Sequence, residues 1–246
     1  MKPIYQQTFT LTDDCVDRYG RLKPSMLLYF VQEVAGIHGA SLGVDYQTLA
    51  KRNLFWAILR TKIQITRLPC RGQTIRLETW PLPPTRVSYP RSVIAYDASG
   101  KELFRGISLW VLMDQTSRQM VLPGKSGITI SGLLQGSELT APGSLSPRTM
   151  ANWDQRTVRY TDLDINGHMN NTRYFEWIYD LLPSSFHADH VAKEFTICYL
   201  SEAREAEQLS MNWEIGEEDT LRVEGIRKQG EPQHRRVFAA EVRFDA

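Results

Sequence analysis

Asp164, Asn166 and His168 stand at alternate positions in the stretch Thr161-Asp162-Leu163-Asp164-Ile165-Asn166-Gly167-His168-Met169-Asn170-Asn171-Thr172-Arg173-Tyr174. In an extended segment, that spacing points all three side chains to one side. They supply a proton acceptor, an N–H donor and an imidazole that titrates near neutrality. Asn170, Asn171 and Thr172 follow, and each is a residue type that caps helices. Tyr174, Phe175, Trp177 and Ile178 then mark an apolar-faced helix. A polar cluster at the mouth of such a helix suits chemistry on an apolar substrate. Taken singly, these residues have plainer roles. Asp164 and Asn166 could build an Asx turn, and at least two of Asn170, Asn171 and Thr172 are expected to be caps. His38, His187, His190 and His234 lack comparable company and are expected to be structural.

The elements that must position this cluster are written twice along the chain. In the first half, Tyr5 to Leu11 alternates as a strand, and a turn follows at Asp17-Arg18-Tyr19-Gly20. Pro24 opens a helix through Met26, Leu27, Leu28, Phe30, Val31, Val34 and Ile37. Strands are expected at Phe55 to Thr66, Gln73 to Trp80, Arg86 to Tyr96 and Leu103 to Asp114, separated by Pro and Gly turns. The second half repeats the order. A strand is expected from Trp153 to Tyr160, a turn from Asp164 to Gly167, and a helix from Arg173 to Leu182 stopped by Pro183. Strands follow at Glu194 to Tyr199, Gln208 to Glu214, Thr220 to Arg227 and Val237 to Phe244, with turns at Gly216 and Gln229-Gly230. Asp17-x-x-Gly20 precedes Tyr29-Phe30 as Asp164-x-x-Gly167 precedes Tyr174-Phe175, with a two-residue slip. Residues 124–150 are rich in Gly, Ser, Thr and Pro and read as a linker between a domain at 1–123 and one at 151–246. Each half is thus an antiparallel sheet wrapped around one long helix, an α+β design. The pattern resembles a tandem (double) hotdog fold. Such units normally pair edge to edge, so a tandem chain would supply both partners and could be a monomer or a further homodimer.

Bulk properties narrow the function. The chain has 246 residues, 42% hydrophobic and 23% charged, with a formal net charge of +1. That composition fits a globular protein and offers no global field for nucleic acid or membrane. The N-terminus lacks the apolar run of a signal peptide, and no segment approaches the roughly 18 apolar residues of a membrane span. Cys15, Cys70 and Cys198 are too scattered for a disulfide framework or zinc site and are expected to be small buried hydrophobes. A cytoplasmic location is expected. No metal cluster or Gly-rich phosphate loop stands out, so no cofactor is expected.

The block Asp164-Ile165-Asn166-Gly167-His168-Met169-Asn170-Asn171 resembles the Asp-x-Asn-x-His-Val-Asn-Asn motif of the fatty acyl-acyl carrier protein thioesterases. Arg159, Asp162, Leu163 and Trp177 also fit that pattern. Tyr199-Leu200-Ser201-Glu202-Ala203 is similar to the family's block of a tyrosine, two basic residues, a catalytic glutamate and often a cysteine. The step from His168 to Glu202, 34 residues, matches the family's spacing. Phe55 to Arg60 looks like the strand after the first hotdog helix. The bacterial branch is the better match, since no transit peptide is seen. Ala203 departs from the family's cysteine and removes a Cys-His nucleophilic mechanism there. Leu200 and Ser201 depart from the basic pair that would contact a carrier protein.

The resemblance implies hydrolysis of acyl-acyl carrier protein thioesters, with Asp164, Asn166, His168 and Glu202 as catalytic residues. Such hydrolysis needs a base for water and donors for the developing oxyanion. Glu202 is the expected base, His168 a polarising or shuttling group, Asn166 a donor, and Asp164 an orienting group. Asp164 as base or nucleophile is the alternative. Backbone N–H groups near Asn170 and Asn171 are candidate oxyanion donors at the helix start. The resemblance also places the acyl chain in the first half, where Met26, Phe30 and Trp56 are candidate pocket residues. The implied partner is acyl carrier protein bearing an acyl-phosphopantetheine, and Arg86, Arg91, Arg156, Arg159 and Arg173 are candidate rim cations for it. Glu205 and Glu207 are expected on a solvated face. Competing readings are an acyl-CoA thioesterase, a hydroxyacyl-thioester dehydratase and a non-enzymatic acyl-binding module.

Overall fold

The computed structural model describes residues 3–135, 139–227 and 235–245. The chain divides into two compact units, Met1–Pro142 and Gly143–Ala246.

The first unit holds β1 (Tyr5–Thr10), α1 (Pro24–Ser41), α2 (Tyr46–Ala50), β2 (Leu54–Ile65), β3 (Thr74–Pro81), β4 (Tyr89–Tyr96), β5 (Glu102–Asp114), the short β6 (Met120–Val121) and α3 (Pro123–Ser126). Its strands pair antiparallel in the order β1-β3-β4-β5-β2, with β6 against β5. Helix α1 starts where Pro24 presets φ and needs no N–H partner. Leu27, Leu28, Phe30, Val31, Val34 and Ala35 are buried along its inner face. Phe30 meets Phe9 of β1 with ring centroids 4.5 Å apart. At the far end the N–H of Val44 bonds to the Gly39 carbonyl, and Gly43 (φ 73°) adopts the left-handed turn that ends the helix.

Strand β4 is buried on both faces. Part of the segment that reads as a linker in the sequence packs against this unit. Ile128 and Ile130 pack on Leu49, Leu54, Tyr89 and Leu112, while Leu133 and Leu139 pack on Trp80, Leu82, Ile94 and Ile107. Gly132 makes the approach possible, because a Cβ there would lie 2.0 Å from the Pro83 nitrogen. This stretch lacks a regular period because it lies across the sheet as an irregular strap.

The second unit holds β7 (Asn152–Thr157), α4 (Arg173–Tyr179), α5 (Ser184–Asp189), β8 (Val191–Tyr199), β9 (Gln208–Ile215), β10 (Thr220–Arg227) and β11 (Arg236–Asp245). Its antiparallel order is β8-β11-β10-β9-β7. Helix α4 buries Tyr174, Phe175, Trp177 and Ile178. Phe175 packs on Phe195 at 4.4 Å and Tyr174 on Phe238 at 4.7 Å between ring centroids.

Each unit is therefore a sheet around a helix. The expected long second helix is shorter, ending at Tyr179, and a separate turn of helix begins after Pro183. Helices α2, α3 and α5 and strand β6 are too short for hydrophobic periodicity to mark them. The Gln229-Gly230 turn and His234 lie outside the described residues. Cys15 and Cys198 are buried as expected, but Cys70 is exposed, because it sits in the turn between β2 and β3. No helix among the described residues is long and apolar enough to cross a membrane.

Candidate active site

The stretch from Asp164 to His168 is a tight turn, so alternate spacing is not what aligns its side chains. The N–H of Gly167 bonds to the Asp164 carbonyl at 3.0 Å, and the N–H of Asp164 to the His168 carbonyl at 2.8 Å. Gly167 has φ 74°, a conformation that costs a residue with a Cβ more than it costs glycine. Asp164 folds back on this turn. Its Oδ1 accepts from the N–H of Asn166 at 2.8 Å and of His168 at 3.3 Å, and its Oδ2 faces the Asn166 amide nitrogen at 3.4 Å.

The same turn is built in the first unit. Asp17 Oδ1 accepts from the N–H of Tyr19 at 2.8 Å and of Arg21 at 2.9 Å, and Gly20 has φ 76°. The N–H of Leu22 bonds to the Pro69 carbonyl at 2.9 Å, as that of Met169 bonds to the Ala203 carbonyl at 2.8 Å. Isolated bridges join Arg21 to Cys70 and His168 to Arg204. This correspondence sets Asp17 against Asp164, Tyr19 against Asn166, Arg21 against His168, and Leu68 against Glu202. Asp and Gly are common to both copies and build the turn. Amide, imidazole and carboxylate occur together only in the second.

His168 Nε2 lies 3.2 Å from Glu202 Oε2, with the imidazole 18% exposed and the carboxylate 41%. The loop between β8 and β9 thus brings Glu202 onto the turn, as the His168 to Glu202 spacing implied. Leu200 and Ser201 donate their N–H groups to the Val237 carbonyl, which fixes the loop at its start. Burial holds the Tyr174 phenol well above its ordinary pKa, so it stays neutral. Chemically, the arrangement offers a carboxylate that can take a proton and an imidazole that can donate to it, with an amide two residues earlier in the same turn.

Asn170 has its backbone N–H and its side-chain oxygen engaged within the loop. Its N–H bonds to the Asp162 carbonyl at 2.8 Å, and its side-chain oxygen accepts from the N–H and hydroxyl of Thr172, both at 2.9 Å. Its bonds to Thr172 form an Asx turn, and Thr172, the residue that precedes α4, makes no side-chain capping bond. The Asn171 carbonyl accepts from the Tyr199 hydroxyl at 3.0 Å.

Of the candidate rim cations, Arg91 is excluded. It lies on the inner face of β4, 9% exposed, with Nη1 3.1 Å from His38 Nδ1 and 3.3 Å from Thr79 Oγ1. Desolvation pushes its guanidinium down to about 10. Arg156 is engaged by Asp154 and Asp180, and Arg173 by Glu176. Among the candidate pocket residues, Phe30 packs with Phe9 under α1, Trp56 packs with Tyr89 and Trp110, and Met26 is partly exposed.

Sequence reasoning missed Arg227 and placed Glu207 on a solvated face. Arg227 at the end of β10 donates from Nη2 to the Glu202 carbonyl at 2.5 Å, and to Glu207 Oε2 from Nη2 at 2.9 Å and from Nε at 3.1 Å. A strand-end arginine carries no local signal. The repeat does, since Arg227 N–H bonds to the Arg235 carbonyl as Asp97 N–H bonds to that of Lys101, which marks both positions as matching strand ends.

Comparison with known proteins bears on the fold and the family. Residues 2–122 match the family model of the acyl-ACP thioesterase N-terminal domain, and residues 146–237 that of the C-terminal domain. A chloroplastic dodecanoyl-[acyl-carrier-protein] hydrolase of Cinnamomum camphora is 28% identical over 81% of this chain and 56% of its own length. Its counterpart in Umbellularia californica is 30% identical over 68% of this chain and 46% of its own. The chain thus spans about half the length of these relatives. A crystal structure of an acyl-ACP thioesterase from Bacteroides thetaiotaomicron superimposes with a TM-score of 0.90 at 25% identity, covering 99% of this chain and 98% of that one. The expected α+β tandem hotdog architecture is therefore the observed one.

Proposed function

Since this chain belongs to the acyl-ACP thioesterase family, we propose that it hydrolyses acyl-acyl carrier protein thioesters, releases free fatty acid and so ends chain extension. The observation that carries this reading is the contact of His168 Nε2 with Glu202 Oε2 at 3.2 Å.

In the proposed reaction, Glu202 takes a proton from water as its oxygen attacks the thioester carbonyl carbon. His168 donates from Nε2 to the carboxylate and fixes its orientation, occupying one of about four acceptor positions. The oxyanion accepts from the Asn166 amide, which has a second N–H beyond the one facing Asp164. Collapse of the tetrahedral intermediate breaks the C–S bond. The proton taken from water then returns, through Glu202 or His168, to the departing pantetheine thiolate. Asp164 is the turn builder in this scheme, because Asp17 makes the same bonds in a copy that has no imidazole or carboxylate to orient. Asn171 serves positioning, and Met26, Phe30 and Trp56 are proposed to face the acyl chain. The proposed location is the cytoplasm, in keeping with three cysteines too scattered in the sequence for a disulfide framework.

The test is release of fatty acid from a panel of acyl-acyl carrier proteins, dodecanoyl included, with matched acyl-CoA substrates. Glu202→Ala and His168→Ala should each lower kcat by about 10²–10⁴. Turnover of acyl-CoA alone would shift the assignment to a CoA thioesterase. No release from any substrate by folded protein would remove the hydrolase reading.

A further inference from the structure

We propose that Arg227 is the positioning residue for Glu202, clamping the backbone of the base from the end of β10. This rests on the reading of Glu202 as the residue that activates water. The Glu202 loop is held at its start by Val237, whose carbonyl accepts from Leu200 and Ser201, and at its end by the bond from Met169 to the Ala203 carbonyl. Between these anchors, Arg227 Nη2 grips the Glu202 carbonyl itself at 2.5 Å. Glu207, two strand positions before Leu209, holds that guanidinium in place through both Nε and Nη2. The ion pair is sheltered, with Arg227 16% and Glu207 29% exposed. A fork of fixed geometry can bridge two acceptors in this way, and a flexible ammonium holds them less rigidly.

The first unit shows what is particular to this clamp. At the position equivalent to Arg227 stands Asp97, whose Oδ2 accepts from Arg67 Nη2 at 3.0 Å. There the tie joins the strand end to the loop one residue before Leu68, the counterpart of Glu202, and the charges are reversed. Both units therefore tether this loop to the strand end. Only in the second does the tether hold the residue that does the chemistry.

A displacement of the base by about 1 Å costs on the order of 10² in rate without a matching loss of substrate binding. Arg227→Ala should accordingly lower kcat for acyl-acyl carrier protein about 10–100-fold while KM changes less than about threefold. Millimolar guanidinium should restore part of that kcat in Arg227→Ala and none in Glu202→Ala. Arg227→Lys should fall between wild type and Arg227→Ala. Glu207→Gln, which keeps an acceptor but loses the charge, should lower kcat less than Arg227→Ala. An Arg227→Ala enzyme with wild-type kcat, or one whose loss follows only its lower melting temperature and ignores guanidinium, would overturn the proposal. The Glu202→Ala control separates the two readings. If it retains activity, the role of Glu202 falls. If it is inactive while Arg227→Ala is not, the clamp alone falls.

Discussion

At the scale of single residues, the two copies of the turn separate architecture from chemistry. Asp164 makes the bonds that Asp17 makes, and these bonds shape the loop that carries His168. Asparagine can accept the same two backbone N–H bonds but cannot act as base or nucleophile. Asp164→Asn should therefore keep kcat within about tenfold of wild type, and Asp164→Ala should lose about 10² or more. Initial-rate kinetics on both variants decide the matter, and an Asp164→Asn enzyme as inactive as His168→Ala would make the carboxylate a participant. Asn166→Ala removes the proposed oxyanion donor and should lower kcat by about 10²–10³ with little change in KM. The pairing of His168 with Glu202 was legible in the sequence through the spacing of two motif blocks. The division of labour was not, because alternate residues suggested a shared direction, whereas Gly167 at φ 74° bends the chain into a turn.

At the scale of elements, close contacts and turn carboxylates set the tolerances. Gly225 of β10 lies under the Phe238 ring, and a Cβ there would come within 2.2 Å of the ring edge. Phe238 in turn packs on Tyr174 of α4, the helix that follows the Asp164–His168 turn. Gly225→Ala should cost about 1–3 kcal/mol of stability and lower activity through that helix, measurable by denaturant titration beside the fatty-acid assay. The hairpin carboxylates give an acid limit. Hydrogen bonds from Ser99 and Lys101 hold Asp97 below the usual carboxylate range, and those from Ser117 and Thr116 do the same for Asp114. Their folded pKa is depressed, so their contribution is present above about pH 4 and is lost as pH falls below it. Melting temperature should drop over that window, and Asp97→Asn with Asp114→Asn should flatten the drop. Most strands and α1 were legible from alternation and period. The strap at 128–139 was not, since an irregular segment carries no repeat and its anchor is the absence of a side chain at Gly132.

At the scale of the whole molecule, the duplication is more regular than the sequence suggested. The turns correspond residue for residue from Asp17 to Lys23 and from Asp164 to Asn170. The helices are then out of step: α1 begins directly at Pro24 and carries its aromatic pair at Tyr29-Phe30, whereas Asn171 and Thr172 intervene before Arg173 and the pair Tyr174-Phe175 follows at once. The first copy has the same frame with Tyr19, Arg21 and Leu68 in place of Asn166, His168 and Glu202. Arg21 there pairs with Asp17 at 3.2 Å and lies 4.8 Å from the Tyr19 ring centre. Arg21→Ala should cost at most about 1 kcal/mol of stability and leave kcat within about twofold, in contrast to His168→Ala at the equivalent position. Parallel melting curves and rates on the two variants test this asymmetry.

The exposed Cys70 follows from the same correspondence, since it occupies the place in the first copy that Arg204 occupies in the second. The other two thiols are buried. A maleimide probe should thus attach once to the native protein and three times after denaturation. The unused copy of the loop carries its own labelling handle, so a fluorophore can be installed on the catalytic frame's twin without occupying any position at which the thioester would react.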